Sequence, residues 1–198
     1  MKRLLDLFVF ALALPILLPV ILVTALMVRF GLGSPIFYSQ LRGGYKGRQF
    51  ALYKFRSMTD ECDAAGNLIP DELRLTRLGR FLRGTSLDEL PCFWNVLKGD
   101  LSLVGPRPFI AKYLSRYTNQ QMRRHDVVPG ITGWAQVNGR NAITWEEKFE
   151  LDVWYVDNRS IGLDLKILAM TVMTVLSRRG TSAAGEATMP EFMGTAEK

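Results

Sequence analysis

The chain has 198 residues, with 25 lysines and arginines against 19 aspartates and glutamates, which gives a net charge of +6 with histidine neutral. This length suits one globular domain with a short additional segment. The excess of positive charge favours an anionic partner, namely a phospholipid surface, a phosphate-bearing small molecule or a nucleic acid, without choosing among them. Cys62 and Cys92 lie far apart in sequence, outside any metal-ligand or disulfide pattern. They argue against a zinc site and favour a reducing, cytoplasmic setting.

Residues 4–28 form an almost continuous apolar run, interrupted by Asp6 and Thr24. As a helix this run would be about 37 Å long, which exceeds the hydrocarbon core of a bilayer at about 30 Å. The apolar region is too long for a cleaved signal peptide, and no small-residue cleavage site precedes Arg29. We therefore predict a membrane segment.

Whether this segment spans the membrane or enters and leaves by one face stays open from the residues alone. Pro15 and Pro19 lie near its middle, where each removes a backbone hydrogen bond and can kink the helix. Basic residues flank both ends, which suits two ends on the cytoplasmic side. The carbonyls freed at a kink need partners, and Thr24 is one candidate donor.

Short aromatic runs follow a glycine-rich loop over residues 31–47. Residues 36–38 and 49–55 are predicted to pair as a small hairpin. Residues 60–71 are polar, with Gly66-Asn67 and Pro70, and are predicted to be a surface loop.

Residues 72–83 predict a helix in which arginine recurs at every third position and leucines line another face. The arginines are Arg74, Arg77, Arg80 and Arg83. This face is either simply solvated, or it lies on anionic headgroups with its last arginine turned toward a phosphate.

The segment Ser86-Leu87-Asp88-Glu89 has two interpretations. Ser86 followed three residues later by Glu89 is the pattern of a capping box at a helix N-terminus. Alternatively, Asp88 and Glu89 form a catalytic pair, because a carboxylate can act as a ligand for Mg²⁺ or as a nucleophile toward phosphorus. One carboxylate can serve both purposes.

Cations surround this pair in the sequence. Arg83 precedes it, and Lys98 and Arg107 follow, with Arg107 between two prolines that restrict its backbone. Residues 129–140 combine glycines, amides, an aromatic and Arg140, which indicates either a ligand-binding loop or a structural turn before a helix starting near Thr144.

Two further helices are predicted toward the C-terminus. Residues 146–156 form an amphipathic pattern with aromatic residues on its buried face. Residues 161–176 are mostly apolar but include Asp164 and Lys166 and are too short to span a bilayer. The second helix packs either in the core or on a membrane surface.

Several motifs together resemble those of the monotopic phosphoglycosyl transferases, the bacterial sugar transferase family. The resemblance runs through nearly the whole chain and rests on the apolar segment with Pro19 and on the residues at 53–58 (YKFRSM), 86–90 (SLDEL), 93–100 (FWNVLKGD), 104–108 (VGPRP) and 129–133 (PGITG). Each motif alone is weak, whereas their combined order is specific.

The resemblance implies an α-rich α+β fold. Residues 1–30 would be a re-entrant membrane helix kinked at Pro19. Residues 31–198 would be a small mixed α/β catalytic domain on the cytoplasmic face of the bacterial inner membrane, resting on it through amphipathic interfacial helices.

The resemblance also implies a reaction. Asp88 would attack a UDP-sugar, release UMP and pass the phosphosugar to polyprenyl phosphate, with Glu89 assisting and Mg²⁺ bound at Asp88. The candidate substrate-binding residues are Lys54, Arg56, Arg83, Arg107 and Arg140. Nucleic acid is not an expected partner, and a homodimer is possible.

Two departures from the family pattern concern the anchor and the charged motif. Leu18 stands where a serine often precedes the kinking proline, and Arg56 replaces a common lysine. The chain resembles the short family form without additional N-terminal membrane helices. Its tail over residues 177–194 resembles enzymes that act on UDP-N,N′-diacetylbacillosamine in glycoprotein glycan assembly.

Other functions stay open from sequence. A membrane-anchored basic module that binds headgroups without turnover accounts equally well for the charge and the anchor. The same enzyme could also work by direct attack of the lipid phosphate, with Asp88 holding only the metal ion.

Overall fold

The computed structural model describes residues 1–139, 143–176 and 191–195, so the predicted site residue Arg140 and most of the tail lie outside the described residues. The helices are α1 (Lys2–Gly31), α2 (Asp71–Arg74), α3 (Arg77–Thr85), α4 (Cys92–Lys98), α5 (Asn119–Met122), α6 (Trp134–Asn138), α7 (Trp145–Asn158) and α8 (Ile161–Leu176). The strands are β1 (Phe37–Gly43), β2 (Gln49–Phe55), β3 (Ser102–Val104) and β4 (Gly130–Thr132). The fold is rich in helix with two small sheets, as predicted.

The start of α1 packs against the rest of the chain through polar contacts. The buried carboxylate of Asp6 accepts hydrogen bonds from the Ser102 hydroxyl at 2.8 Å and the Leu103 amide at 3.1 Å. Lys2 forms an ion pair with Asp164 of α8 at 2.5 Å. These contacts explain why an acidic residue interrupts the apolar run.

The end of α1 packs against the same body through apolar contacts. Val28 is fully buried and forms a cluster with Phe55 and Leu82, with Ile21 and Ala25 packed beside it. Between the two ends, nearly all side chains over residues 11–20 are exposed or half-buried and apolar. The helix therefore touches the domain at both ends and leaves its central surface uncovered.

The helix α1 is long and apolar enough to cross a membrane, and it is continuous through Pro15 and Pro19. Pro19 lacks the amide that would bond to the carbonyl of Pro15. The Thr24 hydroxyl instead donates to the carbonyl of Val20 at 2.7 Å. The suggestion that Thr24 caps a carbonyl freed by a proline is therefore wrong, because its hydroxyl reaches only one turn back.

The predicted hairpin is confirmed, but its first strand is longer than the predicted residues 36–38 and takes residues 39–43 from the predicted loop. Strands β1 and β2 pair antiparallel from Phe37 opposite Phe55 to Gly43 opposite Gln49. The buried side chain of Asn95 fixes the hairpin on α4, since its amide nitrogen donates to the Ala51 carbonyl at 2.8 Å. This packing positions Lys54, the penultimate residue of β2, beside the segment that follows α3.

The single helix predicted over residues 72–83 is wrong, because the chain forms two helices separated by Leu75 and Thr76. Thr76 has an extended backbone and caps α3, since its hydroxyl accepts from the Gly79 amide at 3.0 Å. Gly79 lies against the Ser57 carbonyl, where a Cβ atom would come within 1.8 Å of the oxygen. A capping threonine and this close contact outweigh the helical periodicity.

The remaining core lies between the second sheet and the C-terminal helices. Strands β3 and β4 pair in parallel, and Val104 belongs to a buried cluster with Tyr155 and Ile167. Thr144 and Glu147 form a capping box at the start of α7, which confirms the predicted helix there. The bounds predicted for α8 are also confirmed. Its buried face supports the core alternative.

The segment over residues 191–195 folds back onto the domain. Phe192 is buried in a cluster of aromatic rings with Tyr113 and Phe149. The Glu191 carboxylate bridges Lys112 and Arg116 at 2.7 and 2.8 Å. Apolar and ionic contacts together hold this segment in place.

Candidate active site

The candidate pair, Asp88 and Glu89, lies in a short 3₁₀ turn over Leu87–Glu89, directly after α3. Ser86 adopts a left-handed conformation with φ of +59° and terminates α3, with its amide donating to the Arg83 carbonyl at 3.2 Å. Its side chain makes no capping bond. The capping-box interpretation is therefore wrong, because Ser86 ends one helix rather than beginning the next.

Asp88 is buried beside positive charge without a close ion pair. Its carboxylate lies 4.0 Å from the Lys54 ammonium. Burial and the neighbouring Glu89 raise the pKa of Asp88 to about 6, although Lys54, Arg107 and Arg83 act in the opposite direction. A carboxylate that is poorly solvated and weakly paired is a reactive group.

Glu89 is strongly paired. One of its oxygens accepts from Lys54 at 2.7 Å, and the Arg107 guanidinium donates to both of its oxygens. Burial opposes ionisation of Glu89, but Arg107 and Lys54 outweigh it and hold the pKa of Glu89 well below its usual range. Glu89 therefore stays ionised and holds two cations beside Asp88.

Asp88 and Glu89 face a cavity of about 580 Å³ that carries more cations than carboxylates. The cationic lining residues are Arg42, Lys54, Arg56, Arg74, Arg83 and Arg107, and the acidic ones are Asp60, Asp71, Asp88 and Glu89. Such a cavity favours ligands that bear several negative charges.

Ser57 and Met58, which follow strand β2, hold Arg83 at the wall of this cavity. Its Nε donates to the Ser57 hydroxyl at 3.1 Å, and its Nη2 lies 2.8 Å from the Met58 sulfur. Neither partner carries a charge, so the guanidinium keeps its full positive charge for a ligand. Arg83 is the last arginine of the predicted basic face, and it lines the cavity.

Arg56 makes a different set of contacts. Its guanidinium donates to the Asp60 carboxylate at 2.8 Å, to the Ser34 carbonyl at 3.2 Å and to the Leu32 carbonyl. These bonds tie the end of α1 to the loop that begins at Asp60. The structure thus brings together Lys54, Arg56, Arg83 and Arg107 from the sequence prediction.

Comparisons with known proteins identify the family of the chain. The sequence profile of the bacterial sugar transferase family matches residues 1–178 of the chain. The chain belongs to the bacterial sugar transferase family. It is therefore a transferase enzyme, and this membership argues against a binding module without turnover.

Among its relatives, the sugar transferase EpsL of Bacillus subtilis (strain 168), described as uncharacterised, is 57% identical over 197 residues, which cover 100% of this chain and 98% of EpsL. The UDP-glucose:undecaprenyl-phosphate glucose-1-phosphate transferase of Klebsiella pneumoniae is 42% identical over 181 residues, 86% of this chain and 39% of that protein.

The name of a third relative specifies a different sugar. The UDP-N-acetylgalactosamine-undecaprenyl-phosphate N-acetylgalactosaminephosphotransferase of Aeromonas hydrophila is 37% identical over 187 residues, 90% of this chain and 44% of that protein. The chain thus matches less than half the length of these two transferases. All of these matches belong to the sugar transferase family.

Sequence reasoning missed Arg42 as a site residue of this sugar transferase. Its guanidinium donates to the Gln40 side chain at 2.6 Å and to the Pro108 carbonyl at 3.2 Å. Burial and the nearby Arg107 lower the pKa of Arg42. A usable signal was present, because Gln40 and Arg42 are two residues apart on a strand and so share one face.

The side chains at the site of this transferase suit Mg²⁺ only if a bound substrate supplies further oxygen ligands. Within the described ranges, no three histidine, cysteine or acidic side chains converge on one point. The oxygens of Glu89 are occupied by Lys54 and Arg107, which leaves the Asp88 carboxylate as the available protein oxygen. Mg²⁺ is commonly held by one or two carboxylates together with substrate phosphates and water, and Asp88 fits that role.

Proposed function

We propose that this enzyme moves a sugar-1-phosphate from a UDP-sugar to polyprenyl phosphate and releases UMP. The observation that carries this proposal is Asp88, a buried carboxylate with a raised pKa, facing a cavity lined by arginines. The names of the related transferases from Klebsiella and Aeromonas, which specify undecaprenyl phosphate and a nucleotide sugar, support the substrate classes.

In the proposed reaction Asp88 is the nucleophile of a double displacement. A carboxylate oxygen of Asp88 bonds to the β-phosphorus of the UDP-sugar, and the bond from that phosphorus to the bridging oxygen breaks. UMP departs with the bridging oxygen. An oxygen of polyprenyl phosphate then attacks the same phosphorus and releases the Asp88 carboxylate, leaving a polyprenyl-diphosphate-linked sugar.

The cations act on the charge that develops during transfer. Glu89 holds Lys54 and Arg107 at the cavity, and Arg83 reaches the cavity from the last turn of α3. Fixed cations in a poorly solvated site stabilise a phosphoryl-transfer transition state without reorganisation. Mg²⁺, when bound at Asp88 and the diphosphate, would neutralise phosphate charge and orient the donor.

We further propose that α1 is a re-entrant anchor and that the domain lies on the cytoplasmic face of the membrane. Both ends of α1 contact the same domain, at Asp6 and at Val28, while the central residues are uncovered and apolar. A helix fixed at both ends to one body keeps these ends on the same side of a bilayer. This arrangement brings a lipid phosphate to the level of the site.

Donor specificity is tested by UMP release from a panel of UDP-sugars with purified enzyme, Mg²⁺ and undecaprenyl phosphate. The panel includes UDP-N,N′-diacetylbacillosamine and related N-acetylated sugars, and also UDP-glucose and UDP-galactose. We expect UMP release with one donor class, abolished in Asp88→Asn and retained in the matched variant Asp157→Asn, whose carboxylate is paired on the surface. UMP release by Asp88→Asn at the wild-type rate would exclude the proposed role of Asp88.

A further inference from the structure

A second charged pair lies in the core behind the active site. Arg124 and Asp152 are almost completely buried, and the Asp152 carboxylate accepts from Arg124 Nη2 at 2.7 Å and from Nε at 3.0 Å. The Arg124 guanidinium also stacks 4.0 Å from the centre of the Phe109 ring. The pair joins the 3₁₀ segment Arg123–Asp126 to α7.

Burial makes this pair a weak source of stability. Removing two charges from water costs about as much as their attraction returns, and apolar replacements of buried ion pairs are often neutral or stabilising. A buried ion pair is thus better explained by a role in positioning other residues than by a contribution to stability. The other contacts of Arg124 indicate which residues it positions.

One of these contacts reaches the active site directly. Arg124 Nη2 donates to the main-chain carbonyl of Arg107 at 2.6 Å. The Arg107 side chain in turn binds both carboxylate oxygens of Glu89. Asp152 therefore fixes Arg124, and Arg124 fixes the backbone from which Arg107 extends.

We propose that Arg124 and Asp152 are positioning residues that set the distance of the Arg107 guanidinium from Glu89 and Asp88. The proposal rests on the function proposed above, and it adds residues that touch neither the cavity nor its ligands. A guanidinium displaced by an ångström loses most of its effect on a transition state, because the stabilisation depends on preorganised geometry.

The separate effects on kcat and KM report this displacement. A displaced Arg107 lowers kcat of the folded enzyme with little change in the KM for the donor, because its contribution is made in the transition state. Loss of fold stability instead lowers the melting temperature and the amount of folded enzyme.

The decisive variant replaces both charges at once, Arg124→Met with Asp152→Leu, so that no unpaired buried charge remains. Steady-state UMP release is measured over a range of donor concentrations with saturating undecaprenyl phosphate, because turnover needs the lipid acceptor. We expect wild-type-like melting and a fall in kcat of about tenfold with little change in the KM for the donor.

The matched control lies on the same two elements. Arg123 and Asp157 form an exposed ion pair between the 3₁₀ segment and α7, and Arg123→Met with Asp157→Leu should leave kcat and KM unchanged. Wild-type kinetics in a folded Arg124→Met, Asp152→Leu enzyme would overturn the proposal.

A conservative variant keeps the test decisive if the double variant fails to fold. Arg124→Lys retains a positive charge for Asp152 but replaces a rigid fork with one nitrogen. We expect a smaller loss of kcat with an unchanged KM, and an unchanged kcat would overturn the proposal. Wild-type turnover is measured alongside, and its absence would refute the proposed function instead.

Discussion

Asp88 and Glu89 are neighbours in sequence, but their surroundings shift their acidities in opposite directions. The pKa of Asp88 is raised to about 6 by burial and by Glu89, whereas Arg107 and Lys54 hold the pKa of Glu89 below its usual range despite burial. Two carboxyl groups with separated pKa values can take different roles. Here Glu89 holds the cations and Asp88 is available to react.

The raised pKa of Asp88 predicts an acid limb in the rate of UMP release. Because the nucleophile must be deprotonated, the rate without lipid acceptor should fall about tenfold per pH unit well below pH 6 and reach a plateau above pH 7. Stopped-flow or quenched measurement of the first turnover between pH 4.5 and 8 checks this. A flat profile over that range would contradict the assignment of Asp88 as nucleophile.

The same shift predicts a stability change in Asp88→Asn. The folded-state pKa of about 6 lies above the ordinary value of 3.8, so ionised Asp88 destabilises the fold at pH values above both. Asparagine removes this cost, and we expect the variant to gain about 2 kcal/mol at pH 8 without divalent cations. The gain should shrink as the pH falls from 6 to 4, because Asp88 is then neutral in the folded state.

Denaturant titration of the two proteins at pH 8 and pH 4 measures this gain. Asp157→Asn is the control, because its carboxylate is exposed and paired with Arg123. Equal stability of wild type and Asp88→Asn at both pH values would show that Asp88 is not strained by burial.

Residue identity predicted much of the site, but backbone geometry decided what each residue does. The sequence indicated the Asp88–Glu89 pair and the cations Lys54, Arg83 and Arg107. It could not assign Ser86, because a serine in the left-handed region ends α3 although its spacing to Glu89 fits a capping box. Glu89 pairs instead with Lys54 and Arg107, which are distant in sequence.

At the scale of elements, strong local signals predicted the hairpin, α7 and α8, whereas the break between α2 and α3 was missed. The hairpin has aromatic runs on both sides of a glycine-rich turn, and α7 has a capping box at Thr144. At the break, Leu75 pairs with Met58 in an isolated β-bridge, which is a tertiary contact. The helical periodicity of residues 72–83 therefore predicted one helix where the structure has two.

The segment over residues 191–195 lies beyond the family match, and Phe192 anchors it to the domain. Removing this ring should lower the stability of the enzyme. Phe192 is 2% exposed among Tyr113, Phe149 and neighbouring rings. We expect Phe192→Ala to destabilise the enzyme by about 3 kcal/mol, since a buried aromatic ring leaves a cavity. Thermal melting measures this loss.

Met193→Ala is the matched control for that variant, because Met193 is 77% exposed in the same segment. It should melt within a degree or two of wild type. Equal melting of the two variants would mean that Phe192 is not a structural anchor.

At the scale of the whole molecule, α1 and the domain form one body with an uncovered apolar surface. The predicted membrane segment is present as a helix, but its residues alone could not distinguish spanning from re-entrant insertion. The proposed re-entrant insertion rests on contacts from Asp6, Lys2 and Val28 to the domain. These contacts are long-range, which is why the sequence left both topologies open.

The re-entrant topology predicts that the two ends of α1 are accessible to a reagent from the same compartment. Cys62 is exposed on the domain, and a cysteine inserted after Met1 in a Cys62→Ser chain reports on the other end. An impermeant thiol reagent should label neither in intact cells and both after permeabilisation. Labelling of the N-terminal cysteine alone in intact cells would indicate a spanning helix.

In the proposed reaction Asp88 carries the phosphosugar between donor and lipid. The most direct measurement is the intact mass of the enzyme after incubation with Mg²⁺ and its UDP-sugar but no lipid acceptor, followed by acid quench and peptide mapping. We expect one added sugar phosphate on the peptide that contains Asp88, discharged by undecaprenyl phosphate and absent from Asp88→Asn. UMP released only when lipid is present, with no adduct at any time, would contradict this role of Asp88 and favour direct attack by the lipid phosphate.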